Sequence, residues 1–390
     1  MLHIERLKID IDALSRLAAE RQSSREDDVV RALRWLAEAP EPATLRERLA
    51  LVASGEHDWP GALPAAGVPL DARFTVAGDP PGGTVVIGVD GSQVYPDAHA
   101  VALYYLIQIG GLAFAYDGSR PRPYSCETLH FKDEELYDAQ GYLISPERVG
   151  MERLVREMEY LAELTALERR LAPAAPLIAL TDGPLLWPYV ERSRADFQAV
   201  EAYLDALTEI RQAGGLPAGY VARPGGRALV ELLWASRLAP EELPARLQEN
   251  PLRRLTDAAL MARFLAPGER SAWFTRPSAT NQRHGGRGHV VWFCYVNVGV
   301  ARMPVIARVE VPGWGAQNED AIATLHAVLL HQSQVLHGYP YVLARAHEEA
   351  LVTTADKVAL DSEIQRRLLV QGVLARPSEK AQQKAFLGKR

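Results

Sequence analysis

Two aspartates each follow a buried apolar run directly and stand before a glycine. Asp90-Gly91-Ser92 follows the run 84–89, and Asp182-Gly183 follows the run 176–181. Open α/β sheets bind ligands at the carboxyl ends of their strands, so adjacent strands of this kind would bring the two carboxylates together. Two carboxylates are the minimum for holding a hard divalent cation. One Asp-Gly pair alone fits a hairpin turn better, but the repeat favours a metal site.

A third carboxylate is expected from the amphipathic segment 147–171. A site that clamps two cations needs more than two acidic groups, because both charges must be neutralised. With Met158 at the centre of the apolar stripe and 3.6 residues per turn, Glu157 and Glu159 fall at its borders, and Glu163 points further towards solvent. We select Glu159 as the helix ligand. A glutamate beside an apolar stripe is more often simply solvated.

Composition indicates a globular protein with a substantial core. Of 390 residues, 48% are hydrophobic and 24% charged. The longest apolar run, 101–115, is shorter than the roughly 18 residues of a membrane span, and the N-terminus lacks a secretory apolar region. We therefore expect a cytoplasmic protein without membrane contact. The two cysteines, Cys126 and Cys294, are too far apart in sequence to indicate a disulfide framework or a zinc site.

The order of elements predicts an α/β fold. Residues 2–53 read as a helical arm, with Ser23 or Ser24 able to begin a second helix, and 54–83 as a Gly- and Pro-rich linker. Segments 101–109 and 112–116 resemble a hairpin joined at Gly110-Gly111, and 124–131 is expected to pair next. The helix 147–171 then crosses to the buried strand 176–181.

This order resembles that of the RNase H-like fold, which predicts a mixed five-stranded sheet with flanking helices. Residues 196–272 read as a helical insertion, and 289–311 return to strand. The expected organisation has four parts: an arm (1–53), a linker (54–83), a catalytic domain (84–371) and a basic tail (372–390).

Six short motifs in this order resemble the NurA nuclease family over about residues 84 to 355. Each motif alone is weak evidence for a family, but the occurrence of all six in this order is specific. They are Asp90-Gly91-Ser92, Asp182-Gly183-Pro184-Leu185, Gly219-Tyr220-Val221-Ala222-Arg223-Pro224, Gly268-Glu269-Arg270-Ser271, Arg308-Val309-Glu310, and Gly338-Tyr339-Pro340 through Ala346-His347.

The resemblance implies a manganese site on Asp90, Asp182, His347 and either Glu159 or Glu163, with the family's site tyrosine at Tyr339. Two Mn²⁺ ions are expected, with Mg²⁺ weaker, since histidine is a borderline ligand. His347 is either a ligand or the general base, because its ordinary pKa lies near neutral pH.

The resemblance also implies a function and partners. The expected activity is 5′ to 3′ exonuclease and single-strand endonuclease action on single- and double-stranded DNA ends, in end resection and double-strand break repair. NurA proteins act as dimers with the hexameric HerA translocase. No Gly-x-x-x-x-Gly-Lys-Ser/Thr motif is present, so we expect any ATPase to be another protein.

Further candidates for DNA contact have equally good structural explanations. Arg283 and Arg287 lie in a Gly-rich basic stretch that suits a phosphate backbone or an ordinary loop. Trp187 and Tyr95 follow the two aspartates and would stack bases, although buried aromatics are commoner there. The net charge of −6 counts weakly against nucleic acid, but a local basic patch suffices. The tail residues Lys380, Lys384, Lys389 and Arg390 suit DNA, a partner or solvent.

Two rival functions remain. One is an inactive DNA-binding or assembly subunit built around a dead site. The other is a glycosidase that uses Asp90 and Asp182 as its acid and nucleophile. Metal dependence separates them, because only the nuclease requires Mn²⁺.

Overall fold

The computed structural model describes residues 4–53, 59–76, 78–138 and 140–373. The predicted basic tail residues Lys380, Lys384, Lys389 and Arg390 lie outside the described residues. The described chain combines helices with a mixed sheet, so the α/β prediction is confirmed.

The helices, numbered in chain order, are α1 (Lys8–Ala37), α2 (Pro42–Ala53), α3 (Asp133–Leu136), α4 (Pro146–Leu171), α5 (Arg194–Gln212), α6 (Ala228–Ala235), α7 (Leu243–Arg246), α8 (Asp257–Phe264), α9 (Ala279–Gly286), α10 (Gly313–Ala316), α11 (Glu319–Val335), α12 (Tyr341–Ala350) and α13 (Thr354–Val370). Short 3₁₀ helices cover Ile4–Leu7 and Leu247–Glu249.

The strands are β1 (Leu63–Pro64), β2 (Arg73–Phe74), β3 (Val85–Val94), β4 (Tyr105–Ala115), β5 (Arg122–His130), β6 (Leu177–Asp182), β7 (Gly215–Val221), β8 (Arg270–Ser271), β9 (Phe274–Thr275), β10 (Val291–Asn297) and β11 (Ile306–Pro312). The chain divides into two compact units, and β7 contributes its first four residues to one unit and its last three to the other.

The unit that carries the site residues comprises Pro80–Asp182, Trp187–Ala218 and the described part of Pro340–Arg390. Its strand order is β7-β6-β3-β4-β5. Strand β3 runs parallel to β6 and antiparallel to β4, which pairs antiparallel with β5. Helix α4 connects β5 to β6, as expected for a crossover.

The Gly110-Gly111 pair does not form the predicted hairpin turn, because β4 continues through it. A Cβ on Gly110 would collide with the Ala346 carbonyl oxygen and the Ala350 nitrogen of α12. A Cβ on Gly111 would lie 2.8 Å from the Leu164 side chain of α4. The glycines therefore allow one helix to pack closely on each face of the strand, a role that the sequence pattern does not distinguish from a turn.

Strand β3 also continues beyond the expected end at Val89. It pairs with β4 as far as Val94, with Asp90 directly opposite Gly110. Its parallel pairing with β6, however, ends at Val89 and Thr181. The Asp-Gly turn interpretation of Asp90 is therefore wrong, but each aspartate does follow the last parallel pair.

The other unit comprises the described parts of Met1–Asp79, together with Gly183–Leu186 and Gly219–Tyr339. The second half of β7 pairs antiparallel with β11, β11 with β10, and β10 with β9, which pairs with β1. Its apolar core packs side chains of α1, α2, α6 and α8 against Phe274, Phe293 and Tyr295.

Three expected segments differ in this structure. Helix α1 runs without a break through residues 23 and 24, and the arm divides instead between α1 and α2. In the predicted linker, Trp59, Ala62 and Leu70 are buried in the core, so its described part packs as folded structure. The predicted helical insertion is interrupted by β7, whose short apolar run 215–221 is buried over its first six residues.

Within the parts of the chain that the structure describes, no helix is both long and apolar enough to cross a membrane.

Replacing Gly110 by Ala tests the close packing of α12 on β4. We expect Gly110→Ala to lower the free energy of unfolding by about 1–3 kcal/mol, because the helix backbone must move to admit the methyl group. Gly82→Ala is the matched control, since a Cβ there meets nothing within 4 Å. Urea denaturation measures both. Equal stability of the two variants would contradict the packing role of Gly110.

Candidate metal centre

Three carboxylates lie within electrostatic range of one another where β3 and β6 stop pairing. Asp90 and Asp182 each come one residue after the last parallel pair, on strands whose spacing is about 4.8 Å. Helix α4 adds Glu157, which is only 3% exposed. Burial, with a smaller contribution from the charges of Asp90 and Asp182, raises the pKa of Glu157 to about 7 against the opposing charge of Arg153. Glu157 is therefore a buried acid beside a half-buried Asp90 and an exposed Asp182.

Gly91 makes room for Glu157. A Cβ at Gly91 would lie 2.5 Å from the Glu157 Oε1 atom and 3.0 Å from Arg153 Cγ. Arg153 donates to the Gly91 carbonyl at 3.1 Å and forms an ion pair with Glu157. The glycine of the Asp90-Gly91 motif thus lets α4 bring a carboxylate and its counter-charge against β3.

His347 stands over Asp90. Its Nδ1 atom lies 2.6 Å from Asp90 Oδ2. Helix α12 approaches β3 and β4 closely because Gly88 and Gly110 lack side chains: a Cβ on Gly88 would lie 3.1 Å from Val342. The structure thus brings together the aspartate and the late histidine that the resemblance places in one site.

Glu159 and Glu163 lie elsewhere. Both contact Arg156, at 3.5 Å and 2.7 Å, and their side chains are 42% and 54% exposed. Glu159 lines a cavity of about 340 Å³ together with Thr128 and His130 of β5. Two residues turn a helix by about 200°, so Glu157 and Glu159 face opposite ways. Of the three glutamates, the geometry places Glu157 nearest the aspartate charges, while the ligand role of Glu159 or Glu163 stays a prediction.

The residues of the cluster fit a hard divalent cation in their chemistry. Carboxylate oxygens are the ligands such cations prefer, and a bound cation would favour the ionised form of Glu157 against the burial and repulsion that raise its pKa. In the described ranges, however, no three His, Cys, Asp or Glu side chains already stand as a ligand group. Side-chain rotation would have to bring the oxygens onto the ion.

Tyr189 is a neighbour of the cluster that the sequence analysis missed. Its hydroxyl would lie 2.9 Å from a Cβ on Gly150 of α4. Burial raises its pKa, and the charges of Arg153 and Glu157 also act on it. No motif or spacing marks Tyr189 or Arg153, because both approach the cluster only through the folding of α4 and the segment before α5.

Trp187 is not a base-stacking surface. It is 2% exposed, and its ring packs edge-on against Tyr189 and Tyr203. The commoner interpretation, a buried aromatic, therefore holds. Tyr95 is 43% exposed, and its hydroxyl accepts a hydrogen bond from Gln93 at 2.8 Å.

The basic stretch of Arg283 and Arg287 is not an irregular loop. Helix α9 includes Arg283, which is half-buried, and Arg287 caps the helix and is exposed. Both arginines belong to the unit that contains Gly219–Tyr339, not to the unit that carries Asp90 and Asp182. Contact of these arginines with DNA stays a prediction.

Other motif residues hold the loop that follows Asp182. Residues Gly183–Leu186 belong to the same unit as Glu310. Glu310 accepts hydrogen bonds from the backbone N–H groups of Leu185 and Leu186, at 2.9 Å and 3.1 Å. A Cβ on Gly219 would lie 2.6 Å from the Leu185 nitrogen. Glu310 and Gly219 therefore have a structural role, because both contact the backbone of residues 183–186.

Tyr339 belongs to the same unit. Its ring meets that of Tyr220 edge-on, with the centroids 6.0 Å apart, and the Tyr220 hydroxyl donates to the Gly338 carbonyl. Its predicted role in the site stays a prediction.

The family model of the NurA domain matches residues 84–352 of this chain. A crystal structure of NurA is similar with a TM-score of 0.39 at 14% identity, covering 83% of this chain and 95% of that one. A crystal structure of NurA bound to dAMP and manganese has a TM-score of 0.40 at 13% identity, covering 89% and 94%. A third, NurA with manganese, has a TM-score of 0.40 at 10% identity, covering 90% and 98%. No curated protein matches the sequence.

The raised pKa of Glu157 predicts a pH-dependent stability of the metal-free protein. The neutral carboxyl stabilises the folded state fully below the unfolded pKa of 4.5, and this contribution is lost as pH rises through about 7. The glutamine of Glu157→Gln stays neutral at every pH. We therefore expect the free energy of unfolding of this variant to exceed that of the wild type by on the order of 2–3 kcal/mol at pH 8, and to match it near pH 4.5.

Urea denaturation in EDTA at several pH values measures this difference. Glu159→Gln, on the same helix, is the control and should follow the wild type. A Glu157→Gln variant with no gain at pH 8 would contradict the buried, crowded state of this carboxylate.

Proposed function

The chain belongs to the NurA family, and on that premise we propose that it is a divalent-metal-dependent nuclease that hydrolyses phosphodiester bonds in DNA. The observation that carries the proposal is the buried Glu157 carboxylate, crowded by Asp90 and Asp182. Folding so much negative charge together opposes stability, and a cation-binding role explains it.

Asp90, Asp182 and Glu157 are the oxygen ligands in this proposal. Bound there, a divalent cation would supply Lewis acidity towards the phosphate and a lowered pKa for water. We propose Mn²⁺, because the imidazole of His347 favours it over Mg²⁺, and two ions, because of the number of carboxylates. The manganese-containing crystal structures are those of other NurA proteins.

Asp90 orients His347. With the proton on Nδ1, the imidazole donates to Asp90 Oδ2, and Nε2 keeps its lone pair. That lone pair serves either to bind the cation or to accept a proton from water, and a carboxylate behind the ring supports both roles. Arg153 and Tyr189 supply a cation and a hydroxyl beside the cluster for the substrate phosphate.

We also propose an RNase H-like topology for the unit that holds the site. Its order β5-β4-β3-β6-β7, with β6 parallel to β3 and α4 as the connection from β5 to β6, supports this assignment.

Family membership further suggests action as a homodimer with a HerA-type hexameric ATPase in DNA end resection, in the 5′ to 3′ direction. The N-terminal arm offers apolar contact area, since Ile4, Ile9 and Leu14 are 65%, 81% and 62% exposed. Arg283 and Arg287 are the proposed contacts to the DNA backbone.

The proposal predicts a sharp difference between two neighbouring glutamates. In cleavage assays on labelled single-stranded DNA with Mn²⁺, Glu157→Gln should lower the rate by about 100-fold or more, since even residues behind metal ligands change activity by 10–100-fold. Glu159→Gln, the matched control, should stay within about 3-fold.

Asp90→Ala should also abolish cleavage, and EDTA should abolish it in every variant. A wild type that is inactive with Mn²⁺ and Mg²⁺ would favour the inactive-subunit interpretation. Activity that persists in EDTA would exclude metal dependence.

Replacement of His347 separates its two roles. If His347 binds the cation, His347→Ala should weaken Mn²⁺ binding, and excess Mn²⁺ should restore part of the cleavage rate. If it is the general base, binding should be unchanged, and the rate should recover only as pH rises. Mn²⁺ titration and a pH–rate profile of this one variant measure both. Full activity at neutral pH and ordinary Mn²⁺ would contradict either role.

A further inference from the structure

Two side chains of adjacent strands hold the last turn of α12. Ser92 on β3 and Gln108 on β4 are directly opposite each other. The Ser92 hydroxyl donates to the Ala350 carbonyl, and Gln108 Nε2 donates to the Glu349 carbonyl at 2.8 Å. The final carbonyls of a helix lack partners within it, so both bonds satisfy acceptors that would otherwise need water.

The same face carries the contact between Asp90 and His347. Side chains alternate along a strand, so the pair Asp90/Gly110 and the pair Ser92/Gln108 point to one side of the sheet. Gly110 lies against the backbone of Ala346 and Ala350. One strand pair therefore fixes α12 through its backbone, and His347 lies in that final turn.

We propose that Ser92 and Gln108 form a backbone clamp that positions His347 against Asp90, a role that rests on the proposed nuclease function. They are positioning residues, because they touch neither Asp90 nor the imidazole in these bonds but only the helix that carries it. His347 is 61% exposed, so little packing on the ring itself restrains it. The clamp supplies this restraint by fixing the helix backbone.

Hydrogen–deuterium exchange in the metal-free protein tests the clamp directly. Ser92→Ala and Gln108→Ala, singly and together, should speed exchange in the last turn of α12. Ser92→Thr keeps the hydroxyl and should behave like the wild type. Ser362→Ala is the matched control, because it removes a hydroxyl-to-carbonyl bond of the same kind within α13. Unchanged exchange in the double variant would overturn the clamp, whatever the protein's activity.

A double-mutant cycle tests whether the clamp acts through His347. The cycle uses the property that His347→Ala alone is found to change. This is either the Mn²⁺ dissociation constant, measured by calorimetry with the metal alone, or the cleavage rate at saturating Mn²⁺. When His347 is present, the double change Ser92→Ala and Gln108→Ala should alter this property by about 10-fold, as expected for residues that support the ligands of a site. In the His347→Ala background the same pair should change it by less than about 2-fold.

The single variants serve if the double variant does not fold. Equal losses in both backgrounds would show that Ser92 and Gln108 act by general packing, and would overturn the positioning role. No loss in either background would overturn it as well. If the wild type neither binds Mn²⁺ nor cuts DNA, the proposed function fails, while the exchange experiment still decides whether the clamp exists.

Discussion

The burial of one carboxylate beside two others is the constraint on which the site depends. Glu157 is a buried residue of α4, and its burial together with the charges of Asp90 and Asp182 raises its pKa, so the folded chain disfavours its ionised form. Carboxylates placed this close lower the stability of the fold unless a counter-charge is present. Their presence therefore indicates a functional role and not a stabilising one. Arg153 supplies part of that counter-charge, and a divalent cation would supply the rest.

Glycines hold this arrangement together. Gly91 admits Glu157 and Arg153 against β3, while Gly88 and Gly110 admit α12 on the opposite face. Each glycine lowers the intrinsic strand propensity of its segment. In exchange, two helices approach the same strands closely enough for His347 to reach Asp90 on one face and for Glu157 to lie against Gly91 on the other. The precision of the site therefore comes from backbone contact more than from side-chain packing.

The sequence sufficed for the residues whose position follows from strand ends and motif order. Asp90 and Asp182 follow the final residues of parallel pairing, and His347 lies where the late motif places it. The sequence did not single out Glu157, because periodicity defines an apolar stripe but not which of its borders faces the strands. The Gly110-Gly111 pair was ambiguous for a similar reason: a turn and a close helix contact both require glycine, and only tertiary structure separates them.

In the proposed site, Asp90, Asp182 and Glu157 share one divalent cation. Anomalous diffraction at the manganese edge, from crystals grown with Mn²⁺, tests it most directly. We expect a manganese peak with carboxylate oxygens of all three residues within roughly 2.0–2.6 Å, the range of oxygen ligands to such cations. A peak bound to Glu159 near Arg156 instead, or no peak among the three carboxylates at saturating Mn²⁺, would contradict it.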